Sequence, residues 1–334
     1  MIISRTPFRI SLFGGGSDYP TWYRQHGGSV LGFAIDKYCY ISLRALPQFF
    51  EHRHRIVYSK VETVKEIEEI QHPAVRAVLS ETKVDYGIEI HHDGDLPARS
   101  GLGSSSSFTV GLLKALYAQK GRMVSQHFLA SEAIRIEQEV IGENVGSQDQ
   151  IWAAYGGMNR VDFFTDGHFS VVPLVMAPER RRKLLSHFML FFTGLSRYAT
   201  EVAGKKIANL EKRAADVTRM VGMVDEAQGI LGDPDRDLSD IGRLLHESWC
   251  LKRGLAESVT SDDIDAIYKK GCDAGAVGGK LLGAGGGGFI LFYVEPERQQ
   301  SVREALAPLV EVRFDVDYAG SKIVVYEPNG LESR

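Results

Sequence analysis

Cysteine is scarce in this chain: three residues in 334, Cys39, Cys250 and Cys272, far apart and without CxxC spacing. That excludes a disulfide framework and a cysteine zinc site, and it fits a reducing, cytoplasmic setting. Long apolar runs are also missing. The longest, FMLFFTGL from Phe188, is too short to cross a bilayer and reads as a buried strand, so no membrane role is expected. Neither charge sign dominates. A net charge of -4 gives no electrostatic reason to expect a nucleic-acid partner. The first residues alternate apolar and polar, unlike a signal peptide. Repeats and low-complexity tails are absent, and 44% hydrophobic with 25% charged residues is ordinary for an ordered globular protein. The length exceeds what one core usually supports, so two domains are expected, residues 1–182 and 183–334.

What is present is patterned. In SRTPFRISLF, Phe8, Ile10 and Leu12 alternate with Arg9 and Ser11, as in a strand. CYISLRAL, HRIVYS and YGIEIHH read as further strands, and PAVRAVLSE as a short helix. A helix from Ser125, a plausible N-cap, places Leu129, Ala133, Ile136 and Val140 on one face. Two strands flank Asp166-Gly167. After APERRRK one strand, LLSHFMLFFTG, precedes a long helix from Ala203 to Val224 and helices over Asp237–Glu257 and Asp262–Leu282. The end alternates strands with one helix.

Three glycine-rich segments punctuate this pattern: FGGGSDYP, SGLGSSSS and GAGGGG. A P-loop is excluded, because AGAVGGKL has Ala274 and Leu281 at the defining ends. Gly283, Gly285 and Gly288 satisfy GxGxxG, but a strand follows them where a dinucleotide site needs a helix. SGLGSSSS differs, since a helical pattern begins at its end. A helix N-terminus offers unpaired N–H groups and a positive dipole end, which suits phosphate. Gly101, Leu102, Gly103 and Ser104, Ser105, Ser106 and Ser107 are therefore the expected nucleotide phosphate site.

PFRISLFGGGSDYP, LPARSGLGSSSSFTVGLL and GGKLLGAGGGGFI together resemble, in order, the three motifs of the GHMP kinases. The resemblance extends over the chain. It is closest to the subgroup acting on D-glycero-D-manno-heptose 7-phosphate, through IDKYCYISLR, HPAVRAVL, ENVGSQDQ and LLHESWCLKR. It implies an α+β fold in two domains. The first would be like domain 2 of ribosomal protein S5 and the second ferredoxin-like, with ATP and substrate meeting in the cleft between them. It also implies ATP-dependent phosphorylation of the sugar's anomeric hydroxyl with Mg2+ and a sugar phosphate as the small-molecule partner; a homo-oligomer is a possible assembly. A kinase acting on fucose or another unphosphorylated sugar, or a catalytically silent regulator on the same fold, are the alternative readings.

By the same resemblance, Glu137 and Ser105 would hold magnesium, Asp149 would be the base at the sugar hydroxyl, and Arg9 the cation beside it. Asp18 would grip sugar hydroxyls, with Gly15, Gly16, Lys280, Gly285 and Gly286 around the substrate. Galactokinases carry a Glu-His pair before that Asp, where this chain has Gly15, Gly16 and Ser17, which counts against galactose. A second phosphate on the substrate needs its own cation; Arg197, Lys252, Arg253 and the cluster Arg53, His54, Arg55 are the candidates besides Lys280. His91 and His92 lack a third ligand and read as surface histidines.

Overall fold

The computed structural model describes residues 1–98, 100–195, 203–204 and 207–328. Two antiparallel strands form its spine, β1 (Ile2–Phe13) and the long β2 (Gly28–Ala45). The expected alternation of β1 holds only in part. Phe8, Ile10 and Leu12 are buried, but so are Arg9 and Ser11, because both faces of the strand are covered. A loop and helix α1 (Pro20–His26) join the two strands.

β2 is long enough to serve two partners. Its C-terminal half, Cys39–Ala45, pairs with β5 (Ile88–Gly94), and its N-terminal half, Gly28–Phe33, pairs with β6 (Met158–Phe163). β3 (His54–Val57) and β4 (Val61–Val64) extend the sheet beyond β5, and β7 (Phe169–Pro173) extends it beyond β6. The β6–β7 hairpin turns at Asp166-Gly167, as expected. Helix α2 is Pro73–Glu81. Helix α3 (Ser104–Gln119) packs on β1 and β2 and is apolar nearly all round, as a helix buried inside a domain must be.

Helix α4 (Gln126–Arg135) begins at Ser125, whose Oγ accepts from the Phe128 N–H at 3.1 Å. The expected apolar face holds for Leu129, Ala133 and Ile136 but fails at Val140, which is 40% exposed. The cause is one π-helical turn over Ile136–Val140, closed by Ile141 N–H to Ile136 O at 2.9 Å. The wider turn shifts the helical phase, so Val140 leaves the core. Such turns recur at functional sites. Helix α5 (Gln148–Tyr155) comes after a short loop.

The second sheet is built from β8 (Phe188–Phe192), β9 (Ala276–Leu281), β10 (Phe289–Val294) and β11 (Val310–Glu311). Its order is β11-β8-β10-β9, antiparallel throughout. Helices α7 (Ala214–Gly232), α8 (Ser239–Gly254), α9 (Asp262–Asp273) and α10 (Gln299–Ala305) accompany it. The expected boundary at 182/183 falls within helix α6 (Pro178–Ser186), so Leu184 and Leu185 are helical rather than part of β8. The helix expected over 262–282 stops at Asp273. Gly275, at φ +119°, breaks it, and the glycine-rich segment after it is strand β9. Of the strand expected around VEVRFDVD, only Val310–Glu311 pairs as β11. Part of the long helix expected from Ala203 lies outside the described residues. The last strand, β12 (Lys322–Tyr326), returns to the first sheet beside β1. Among the described residues no helix is long and apolar enough to cross a membrane.

Candidate active site

The serine loop opens α3. Gly103 is its N-cap in the left-handed region at φ +77°, and no side chain caps the turn. The first intrahelical bond is Ser107 N–H to Gly103 O at 2.9 Å. The amides of Ser104, Ser105 and Ser106 therefore precede the helical ladder, as the first N–H groups of any helix do. A side chain at Gly103 would press on Arg9 Cγ and the Asp149 carboxylate, at 3.3 and 3.4 Å. The loop is thus glycine where it meets the charged pair.

That pair is the centre of the site. Arg9 Nε and Nη2 donate to Asp149 Oδ1 and Oδ2 at 2.8 and 2.7 Å, a bidentate fork, and Nη1 donates to Gly101 O at 2.6 Å. One buried guanidinium therefore ties strand β1, helix α5 and the serine loop together. Arg9 is 5% exposed, whereas the Asp149 side chain keeps 26%. Paired bonds of this kind fix geometry as well as charge. A carboxylate so held still has lone pairs for a hydroxyl proton.

Glu137 sits in the π turn and is 1% exposed. Ser106 Oγ and Gln150 Nε2 donate to its Oε2 at 2.9 and 2.5 Å. Burial pushes its carboxyl up to about 7, despite the neutral donors around it. The Thr109 hydroxyl also acts on this carboxylate, and among the described residues Oε1 is buried without a direct hydrogen-bond partner. Ser105, the serine expected beside Glu137, is exposed; Ser106 occupies that place. Among the described residues no group of three or more His, Cys, Asp or Glu side chains forms a metal cage. Magnesium does not need one, since it takes one or two protein oxygens, substrate phosphates and water. A buried carboxylate beside the glycine- and serine-rich turn that opens α3 fits that requirement.

Asp18 is 2% exposed. Its Oδ1 accepts from the Gly16 N–H at 2.9 Å and its Oδ2 from Gln148 Nε2 at 2.7 Å. Tyr19 is buried beside it, and its phenol is pushed up by burial and then by the charges of Asp18 and Asp149.

The remaining expected residues make contacts of their own. Lys280 is 3% exposed, and its ammonium donates to Leu12 O at 2.7 Å, bracing the first motif. Lys252 donates to Leu281 O and Gly283 O at 2.7 and 2.6 Å. Arg253 pairs with Asp265 at 3.0 Å, and Arg55 with Glu89 at 3.3 Å. Arg53 donates to Asp85 O, and His54 is buried. His91 bonds Glu89 at 2.9 Å, and His92 packs edge-on against Phe108. Arg197 lies outside the described residues. Gly286 donates its N–H to Val259 O, and a Cβ at Gly285 would meet Val259 at 2.7 Å. At Gly283 it would meet Gly101 Cα at 2.4 Å. The last glycine loop therefore lies against the serine loop, backbone on backbone. Ser106, expected among the phosphate-binding serines, lies on Glu137, and two further side chains bonded to these carboxylates, Gln148 and Gln150, are not among the expected site residues. The two glutamines flank Asp149, and that adjacency is the signal that could have found them.

Comparison with known proteins adds to this geometry. Residues 64–157 match the model of the GHMP kinases N terminal domain and residues 228–309 that of the GHMP kinases C terminal domain, together just over half of the chain. A D-glycero-alpha-D-manno-heptose 7-phosphate kinase of Campylobacter jejuni is 29% identical over 91% of this chain and 93% of that one. The crystal structure of a D-glycero-D-manno-heptose 1-phosphate kinase from Bacteroides thetaiotaomicron superposes with a TM-score of 0.73 at 24% identity, covering 97% of this chain and 98% of that one. Lactococcus lactis galactokinase complexed with galactose superposes at 0.74 with 18% identity, covering 96% and 94%. These two likenesses concern the fold.

Proposed function

Since the chain belongs to the GHMP kinases, and is thus an ATP-dependent phosphotransferase of two-domain α+β fold, we propose that its acceptor is D-glycero-D-manno-heptose 7-phosphate and its product the 1,7-bisphosphate. The observation that carries the chemistry is the Arg9–Asp149 fork, placed against Gly101 and Gly103 of the serine loop. Phosphoryl transfer needs little covalent help from a protein. It needs an in-line acceptor, held phosphates and compensation of charge.

The amides at the start of α3 bind the nucleotide phosphates. Asp149, oriented by two bonds from Arg9, accepts the proton of the attacking anomeric hydroxyl. Arg9 supplies a fixed positive charge next to the transferred group. Glu137 and Ser106 are the residues that would hold Mg2+, which supplies neutralisation of the phosphate charge when bound. Gln150 keeps the Glu137 carboxylate turned toward that position. The passage between the two domains falls at helix α6, and β12 returns from the later part of the chain to the first sheet.

The heptose assignment draws support from the Campylobacter jejuni relative and from Gly15, Gly16 and Ser17 replacing the Glu-His pair of galactokinases. The test is a panel assay of ATP consumption over heptose 7-phosphate, free heptose, galactose, fucose and mevalonate. Heptose 7-phosphate is expected to lead free sugars by at least about tenfold in kcat/KM, since a desolvated phosphate paired with a cation contributes on the order of 1.4 kcal/mol or more. Equal turnover of a free sugar would overturn the assignment and leave a sugar 1-kinase of other specificity.

A further inference from the structure

Helix α5 opens with Gln148, Asp149 and Gln150, and each side chain reaches a different partner. Gln150 bonds Glu137, Asp149 bonds Arg9, and Gln148 bonds Asp18. Only the first two partners have a role in phosphate chemistry. The third connection points to the acceptor.

Asp18 is enclosed. Protein donors occupy both of its oxygens, and a Cβ at Gly146 would fall 1.8 Å from Oδ2. A carboxylate so held has its orientation set by the protein. It is well placed to fix the amide in front of it. Because Nε2 of Gln148 is committed to Asp18, the opposite end of the amide, Oε1, is fixed as an acceptor. Gln148 is 9% exposed, and among the described residues Oε1 is buried without a hydrogen-bond partner. An orphaned buried amide oxygen is costly, so such a group in a native structure calls for a donor. Its neighbour in the chain is the base itself.

We propose that Gln148 is a specificity-determining residue: Oε1 accepts a hydrogen bond from a non-reacting hydroxyl of the acceptor sugar, and Asp18 is the positioning residue behind it. This rests on the sugar-kinase reading above. The chemistry is selective. An acceptor oxygen backed by a carboxylate welcomes a hydroxyl and repels a phosphate, so the substrate's own phosphate must lie away from this end of the site.

The experiment uses the full chain and whichever sugar of the panel the wild type phosphorylates best, together with its monodeoxy analogues. Gln148→Met keeps the volume and removes the acceptor. It is expected to lower kcat/KM on the parent sugar by about tenfold to a hundredfold, with KM for ATP within about twofold of wild type. One monodeoxy analogue should suffer a similar loss with wild type and no further loss with Gln148→Met, because the two changes delete the same contact. Independently of any variant, the side-chain amide signal of Gln148 in the NMR spectrum of the wild type should shift when that sugar is added without ATP. Equal losses on every analogue, no loss at all, or an unmoved amide signal would overturn the assignment. If the panel selects a sugar other than heptose 7-phosphate, the heptose reading falls and the Gln148 comparison is made on that sugar. If heptose 7-phosphate leads and the hydroxyl coupling is missing, only the Gln148 assignment falls. A panel in which no acceptor is turned over contradicts both.

Discussion

Glu137 and Asp149 are twelve residues apart in sequence and flank one site, yet their surroundings differ in kind. Glu137 is 1% exposed, its partners are the hydroxyls of Ser106 and Thr109 and the Gln150 amide, and burial pushes its carboxyl up to about 7. The Asp149 side chain keeps 26% exposure and is held at both oxygens by a guanidinium. Neutral partners leave the charge of a buried carboxylate uncompensated, which suits a site that receives a cation. A cationic partner compensates it in advance and fixes its orientation, which suits the proposed role of facing the acceptor hydroxyl. The difference in partners, rather than in residue type, separates the two roles.

Removing the charge at Asp149 should break this comparison most severely. Asp149→Asn is expected to lower kcat by at least about a hundredfold, with nucleotide affinity nearly unchanged in steady-state kinetics. Arg9→Met should also slow turnover. The double variant should lose less than the product of the two single effects, because both act on one transition state. Near-normal turnover of a folded Asp149→Asn would move the base elsewhere.

Glu137→Gln should act through magnesium. We expect its Mg2+ requirement to rise by about tenfold, read as the Mg2+ concentration giving half-maximal rate. Its pH signature has a definite sign. The folded-state pKa of Glu137 lies at about 7, above the ordinary carboxyl value of 4.5, so the folded state holds a proton that the unfolded state has released. Without metal, stability should therefore fall as pH rises from about 4.5 to about 7, by roughly 3 kcal/mol, and level off above. Denaturant titrations in chelator should show that slope in the wild type and a shallower one in Glu137→Gln. A wild-type slope of opposite sign contradicts the buried-carboxyl assignment.

The smallest effects sharpen the comparison within the serine loop. Ser106→Ala should raise the Mg2+ requirement several-fold, as loss of a ligand's hydrogen-bond partner does. Ser105→Ala should stay within about twofold of wild type, since surface changes away from such contacts are small. Reversal of that order would restore Ser105 as the metal-side serine.

These serines also show where sequence reading stops. The three glycine motifs, and with them the family, are legible because φ and close backbone approach restrict residue choice at such turns. Arg9 and Asp149 are legible by the same resemblance, although 140 residues separate them. Which of four consecutive serines faces Glu137 depends on how α3 is rotated against a π turn, and nothing local encodes that turn. The same turn removed Val140 from the expected core face. Lys280 reads as a substrate cation in the sequence, where burial cannot be seen; in the structure its ammonium is buried and donates to Leu12 O. The helix expected through residue 282 failed because the glycines of β9 serve packing, with Gly278 lying against Gly242 O of α8. Gln148 and Gln150 stayed hidden because glutamine has no strong positional signature.

The most direct test is a crystal structure with a non-hydrolysable ATP analogue and Mg2+. The account predicts phosphate oxygens within hydrogen-bond reach of amides between Gly101 and Ser107, the metal beside Glu137 and Ser106, and Asp149 free on one side to face an acceptor. Phosphates seated on Gly283–Gly288, with none at the serine loop, would contradict it.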